Sequence, residues 1–267
     1  MTTITFRDHT YDCNNDESVL ACLTRHGEEL PSSCQSGVCQ TCMMRATAGA
    51  IPESAQQGLK PTQRSQGYFL ACVCTPTENM TVESAESLNQ FTGVVCEKSH
   101  LNEDILRIRI TKPESFHYRA GQFINLIRDG GALIRSYSLA SIADEELELH
   151  IKVIPNGAMS SWIADSLHVG DSITFQGPSG DCFYLDNKPE QSILMVGIST
   201  GLAPLYGIAR DALAQGHRGE INIYHASLAA AGLYYCDEMH ALAATHDNVN
   251  YTPCVLNGPA PDGGRVG

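Results

Sequence analysis

Five of the eleven cysteines in this chain fall in two short stretches, Cys34, Cys39 and Cys42 in one and Cys72 and Cys74 in the other. Thiolates are soft ligands for iron and zinc, and a C-x4-C-x2-C run can wrap three of them around one small inorganic cluster from a single loop. The fourth thiolate must then come from a distant segment, and Cys72 in the run FLACVC can close the set. Cys34, Cys39, Cys42 and Cys72 therefore read as the ligands of a [2Fe–2S] cluster, whose chemistry is one-electron transfer. Ser36 and Gly37 are small, which lets backbone N–H groups approach the sulfurs and tune the potential. Two readings compete: a zinc site pairing Cys39 and Cys42 with Cys72 and Cys74, and chance clustering. Zinc sites favour two well-spaced pairs and would leave Cys34 without a role. Cys74 is the competing fourth ligand and is expected to be a bystander. Cys13, Cys22, Cys96, Cys182, Cys236 and Cys254 are scattered singly and read as small buried hydrophobes.

The elements needed to position such a loop are legible around it. TITFRDHTYDC reads as two short strands about a turn, Asp16–Gly27 as a capped helix with a glycine stop, and Asn79–Val82 as a closing strand. Residues 1–86 then form a compact unit that resembles a plant-type ferredoxin domain, with the β-grasp-like fold this implies. The chain as a whole has 267 residues, 43% of them hydrophobic and 18% charged, which excludes disorder as its main state. At about 150 residues per domain, it has room for one to three domains. No apolar run reaches the ~18–20 residues of a membrane span, and the first residues lack an apolar signal core. A formal charge of −13 argues against nucleic acid as a partner. The free-thiol count and the missing signal core point to a reducing compartment, the cytoplasm.

Residues 91–187 change to short alternating strands, at Phe91–Glu97, Ile105–Ile110, Gln122–Ile127, Arg135–Ala140, Glu146–Val153 and Ser172–Gln176. Their spacing of roughly ten residues signals an antiparallel β-barrel or sandwich. A helix over Gly157–Leu167 follows, opened by small residues whose free N–H groups suit an anion. On a strand, Arg135 and Tyr137 share a face, so a cation stands beside an aromatic plane. Arg135-Ser136-Tyr137-Ser138, followed by Lys152 and by Gly157-x-x-Ser160, is similar to the flavin domain of the ferredoxin–NADP reductase superfamily. The resemblance implies that Arg135 binds the phosphates of FAD, favoured over FMN, and that Tyr137 covers the flavin ring. It places Ser138 near the reactive nitrogen, making Tyr137 and Ser138 the candidate catalytic residues. Gly157, Met159 and Ser160 would cradle the pyrophosphate, and Lys152 holds the lysine place of this cofactor-binding signature.

Residues 190–267 open on the apolar strand Ser192–Val196, which runs through Gly197-Ile198-Ser199-Thr200-Gly201-Leu202-Ala203-Pro204 into a helix over Leu205–Leu213. Strand, small-residue loop and helix start form a phosphate-binding crossover. The loop looks like the nicotinamide-nucleotide loop of the same superfamily, with Gly197, Thr200, Gly201 and Pro204 as the cofactor-binding positions. Ile198 and Ser199 stand where the pattern has glycines. A second strand, Ile221–His225, leads into Ala226–Gly232, a stretch with no Arg or Lys to meet a 2′-phosphate, so NADH is expected over NADPH. A helix over Asp237–Ala244 and a strand over Val249–Leu256 follow, and residues 257–267 read as loop. His225, His240 and His246 read as surface or packing residues, since hydride transfer to a flavin needs no protein base. Three strands and two helices are half of a doubly wound parallel-sheet domain. The chain is thus expected to be truncated relative to the superfamily, which continues with a C-G-x-x-x-M segment that Cys236–Met239 does not match.

Taken together, the fold class is multi-domain α+β and α/β: ferredoxin, antiparallel flavin barrel and partial parallel-sheet nucleotide domain. The order of modules resembles the reductase components of bacterial oxygenases, such as those of benzoate dioxygenase and methane monooxygenase. That resemblance implies electron flow from NADH through FAD and the cluster to a partner oxygenase or ferredoxin. Alternatives are a reductase for another iron–sulfur enzyme, such as a sugar-deoxygenation system, a carrier module without NADH turnover, and a zinc-stabilised binding protein. Residues 1–86 carry 10 Asp and Glu against 5 Lys and Arg, which suits a basic acceptor surface or simply a solvated one.

Overall fold

The structure, a computed structural model, describes residues 2–32, 34–37, 40, 42–85 and 90–266. The chain divides into two compact units, Met1–Ser87 and Leu88–Gly267. Among the described residues no helix is long and apolar enough to cross a membrane.

In the first unit, β1 (Thr2–Phe6) and β2 (His9–Cys13) form the expected hairpin, with Ile4 opposite Tyr11. Arg7 and Asp8 take the positive φ that its two-residue turn demands. The helix is shorter than Asp16–Gly27: α1 spans Val19–Arg25, because Ser18 is its cap and accepts from the Ala21 N–H at 3.2 Å. Glu17, left outside, pairs with Arg25 at 2.8 Å. The closing strand β5 (Met80–Ser84) runs parallel to β1. Between them the chain supplies β3 (Met43–Ala48), the short helix α2 (Pro61–Ser65) and β4 (Tyr68–Leu70), giving the sheet order β2-β1-β5-β3-β4. Ile4, Phe6, Leu23, Met44, Phe69 and Met80 fill the core between sheet and helix.

The second unit begins with β6 (Gln90–His100), β7 (Ile105–Ile110), β8 (Phe123–Arg128), β9 (Leu133–Ser138), β10 (Leu147–Lys152) and, beyond helix α3 (Ala158–Asp165), β11 (Ser172–Ser179). All six strands pair antiparallel in the order β10-β7-β6-β11-β8-β9. A bridge between Leu139 and Leu149 brings the two ends of that order together and closes the barrel. Its core holds Ile108, Leu126, Leu149 and an aromatic cluster in which Phe175 lies 5.2 Å from Phe116 and 5.8 Å from Phe91.

The same unit continues through β12 (Ile193–Ile198), α4 (Leu202–Ala214), β13 (Ile221–Ser227), α5 (Cys236–Thr245) and β14 (Val249–Val255). These strands are parallel, in the order β12-β13-β14. The expected terminal loop is corrected here: Arg265–Val266 pair with Cys254–Val255 as a fourth parallel strand, β15. Two residues are too few to leave a strand signature in a Gly- and Pro-rich stretch. Both helices cover one face of this sheet, over Met195, Ile223 and Tyr251. On the other face Leu194, Val196 and Ile198 of the edge strand β12 stay 67%, 64% and 72% exposed.

The reading of the single cysteines as buried hydrophobes holds for Cys13 and Cys22 and fails for Cys96 and Cys182, which are exposed. Cys96 alternates outward on β6, where its neighbour Val95 takes the core. Phe175→Ala removes a fully buried ring from the aromatic cluster and is expected to cost about 3–5 kcal/mol of stability, measured by denaturant unfolding.

Candidate functional site

The cysteine-bearing loop is built around sulfur. The Ser36 N–H donates to Cys34 Sγ at 3.5 Å. Burial pushes the Cys72 thiol up to about 11; Cys42 and Cys34 raise it further, and the backbone N–H of Gly37 pulls it back. Three thiols and a donated N–H thus converge on one place, which fits a thiolate-bound cluster: metal binding displaces the protons that burial otherwise retains. Gly37 sits at φ 76°, and a Cβ there would press on Val73 at 3.2 Å. Cys39 lies outside the described residues. Cys74 is turned into the core, where burial pushes it up to about 12 and Cys13 is the thiol it senses.

The two halves of the candidate flavin site meet, since α3 lies against β9. Arg135 and Tyr137 stand on one face of β9, opposite Leu126 and Ile124. Tyr137 is half-buried, and burial raises its pKa while the charge of Arg135 lowers it, so cation and ring are neighbours. Arg135 is exposed, donates to the Ile134 carbonyl at 2.7 Å and makes no ion pair among the described residues. An exposed guanidinium without a carboxylate, beside an aromatic plane and a helix start, fits a flavin and its phosphates. Ser138 ends the strand opposite Phe123. Gly157 caps α3, and a Cβ there would lie 2.4 Å from Ser160 Oγ, which accepts from the Ile154 N–H at 3.1 Å. Met159 and Ser160 are buried in its first turn, while Lys152 is exposed at the end of β10. Sequence reasoning missed Arg128: it donates to the Ala158 carbonyl at 3.3 Å and stacks 5.1 Å over Trp162, bringing a second cation to this helix start.

In the nucleotide loop, a Cβ on Gly197 would fall 2.8 Å from the Gly201 backbone, so only glycine lets the loop fold back onto β12. Ser199, standing where the pattern has a glycine, takes φ 51°, in the left-handed region that glycine favours. Thr200, Gly201 and Pro204 are half-buried where the loop enters α4.

Of the two readings offered for His225, surface or packing, the structure gives packing. The residue is fully buried on β13, in register with Gly197, its Nδ1 3.3 Å from the Tyr251 hydroxyl and its ring edge-on to Tyr234. His150 of β10 is buried too, with Nε2 2.9 Å from Glu148 Oε1 and Nδ1 3.0 Å from the Tyr234 hydroxyl. An ionised carboxylate only accepts, so Nε2 carries the proton and Nδ1 accepts from Tyr234. Burial pushes the pKa of His150 down more than Glu148 raises it. Burial alone would raise Glu148, but His150, Tyr235 and Arg107 hold it below its ordinary value.

Three family descriptions match the chain: a 2Fe-2S iron-sulfur cluster binding domain over residues 3–77, an oxidoreductase FAD-binding domain over 92–184, and an oxidoreductase NAD-binding domain over 195–267. An aromatic O-demethylase reductase subunit of Amycolatopsis sp. is 33% identical, over 94% of this chain and 79% of its own length. The chain belongs to the iron–sulfur flavoprotein reductase components of oxygenase systems. A reductase component of the naphthalene 1,2-dioxygenase system of Pseudomonas putida is 31% identical, over 94% of this reductase component and 78% of the relative. The crystal structure of the Amycolatopsis cytochrome P450 reductase GcoB superposes with TM-score 0.63 at 30% identity, covering all of this chain and 84% of that one. This reductase component is accordingly an oxidoreductase with [2Fe–2S], FAD and NAD(P)H as its cofactors.

Burial pushes His225 down to about 4; the Ser199 backbone works against that and His150 with it. A histidine depressed below its unfolded value stabilises the fold fully above pH ~6.5 and loses that contribution as pH falls through the window toward 4. Denaturant unfolding followed by Trp162 fluorescence is expected to lose on the order of 3 kcal/mol across that window. His225→Gln is expected to flatten the loss, and equal pH slopes in the two proteins would contradict it.

Proposed function

We propose that the chain draws electrons from NADH bound at the loop between β12 and α4, passes them to FAD held between β9 and α3, and delivers them from a cluster on Cys34, Cys39, Cys42 and Cys72 to an oxygenase or to a ferredoxin serving one. The observation that carries this reading is the convergence of the Cys34, Cys42 and Cys72 thiols on the N–H-lined loop, in a chain that also carries the barrel and the parallel sheet. The naphthalene dioxygenase and O-demethylase reductases are named for oxygenase systems, which supports an oxygenase as acceptor. A reducing compartment, the cytoplasm, suits its ten described free thiols.

When bound, FAD supplies the change from a two-electron donor to a one-electron carrier. Arg135 and the N–H groups at the start of α3, with Gly157, Met159, Ser160 and Lys152 around them, neutralise and seat its phosphates. Tyr137 packs against the ring and keeps water from it, and Ser138 offers a hydroxyl at the strand end. Gly197, Thr200, Gly201 and Pro204 hold the pyrophosphate of the nucleotide near the positive end of α4. Ser227 and Leu228 lead into an alanine run ending at Gly232, and no cation in it could meet a 2′-phosphate, which favours NADH.

Anaerobic reduction by NADH, followed by absorbance and EPR, tests the reading. Bleaching of flavin bands and a rhombic [2Fe–2S] signal are expected, and a colourless protein would sink it. Cys72→Ser is expected to abolish the EPR signal and Cys74→Ser to retain it; the reverse result would move the fourth ligand. Leu228→Arg is expected to raise kcat/KM for NADPH relative to NADH by roughly tenfold, the worth of one charge-assisted contact.

A further inference from the structure

The segment between β13 and α5 has little with which to hold itself. After Leu228 comes Ala229-Ala230-Ala231-Gly232, folded as a single 3-10 turn over Ala230–Gly232. Side chains this small bury almost nothing, so the ordering entropy must be met by neighbours. The start of the segment is tied to the end of β14: Leu256 N–H donates to the Ser227 carbonyl at 3.1 Å and Asn257 N–H to the Leu228 carbonyl at 2.9 Å.

Its end is tied to the barrel. Asn102, in the turn between β6 and β7, donates from Nδ2 to the carbonyls of Ala231 and Leu233 at 3.5 and 3.4 Å. Its Oδ1 accepts from the N–H groups of Asp104 and Ile105 at 3.0 and 2.8 Å, which fixes the amide's orientation. Tyr234 donates to His150, and Tyr235 donates to Glu148 Oε1 at 2.9 Å while accepting from Arg107 at 3.1 Å. Tyr235 holds φ 55°, a left-handed conformation that costs an aromatic residue on the order of 1–3 kcal/mol. A strained, buried tyrosine persists where surrounding contacts over-determine it, and here those contacts come from β7 and β10.

We propose that Asn102, Glu148 and His150 of the barrel are positioning residues for the dinucleotide. They fix Ala231–Tyr235, and through it the ribose-facing turn after β13, so the affinity of the parallel sheet for the adenosine half of NADH is set in part from the barrel. None of the three touches the reacting atoms. The proposal rests on the nucleotide site assigned above.

The test is the binding of ADP-ribose, which carries the adenosine half and no nicotinamide, to the holoprotein by titration calorimetry. Asn102→Ala and Tyr234→Phe are each expected to weaken it about five- to tenfold, the worth of one hydrogen bond. Glu148→Gln preserves shape and is expected to weaken it less. Asn250→Ala, exposed on β14, serves as control and is expected to match the unaltered protein. KM for NADH is expected to rise in step, with kcat at saturation moving less than twofold, whereas a merely loosened fold would lower kcat and flavin content. Flavin absorbance equal to that of the unaltered protein certifies folding, and Tyr234→Phe, the loss of one hydroxyl, guards against a collapsed variant. ADP-ribose affinity within twofold of the unaltered protein in Asn102→Ala and Tyr234→Phe would overturn the proposal. Failure of the unaltered protein to bind ADP-ribose would instead overturn the nucleotide site itself, and the proposal with it.

Discussion

A carboxylate largely withdrawn from water needs hydrogen-bond donors, and the partly buried Glu148 is where the second unit meets that demand. Its carboxylate collects His150 and Tyr235 directly, and Arg107 backs Tyr235. His150 and Tyr235, both buried, would be costly if left unpaired. The network therefore admits one arrangement, with a neutral His150 protonated on Nε2 and Tyr234 aimed at its other nitrogen. Because Glu148, His150 and Arg107 belong to the barrel while both tyrosines open α5, satisfying one carboxylate also docks the parallel sheet. Hydrophobic contact alone would join the two layers without specifying an angle; the hydrogen bonds supply the direction.

The two candidate cofactor sites of this unit hang on that joint. α4 reaches the barrel through Arg210, which pairs with Glu145, and through Gly207, where a Cβ would press on the Ala140 carbonyl at 3.0 Å. The helix that opens at the nucleotide loop is therefore packed, along its length, on the strand connection that follows the Arg135–Ser138 motif. A glycine in mid-helix is poor for helicity, yet here it lets two backbones approach.

What could be read in the sequence was whatever has a local period or a fixed spacing. The cysteine run, the alternating barrel strands and the strand–loop–helix at Gly197 are of that kind, and the strands fell within a few residues of their expected bounds. The cap at Ser18 and the pair β3–β4 were harder, because one depends on a single hydrogen bond and the other lies inside a loop defined by its cysteines. Contacts between segments more than eighty residues apart, such as His150 with Tyr234, have no signature in a single sequence. That is why the sequence leaves open whether His225 lies at the surface or packs inside: its burial comes from Tyr234 and Tyr251, not from its own strand pattern. Arg128 escaped for the same reason, being one exposed-looking cation at a strand end.

The outer face of β12 offers a docking surface that joins apolar side chains to open backbone groups. Parallel sheets are ordinarily covered on both faces, and here Leu194, Val196 and Ile198 project from an edge strand whose outer row of amides and carbonyls has no partner among the described residues. Any extended segment that drifts alongside finds a ready template and a greasy surface together.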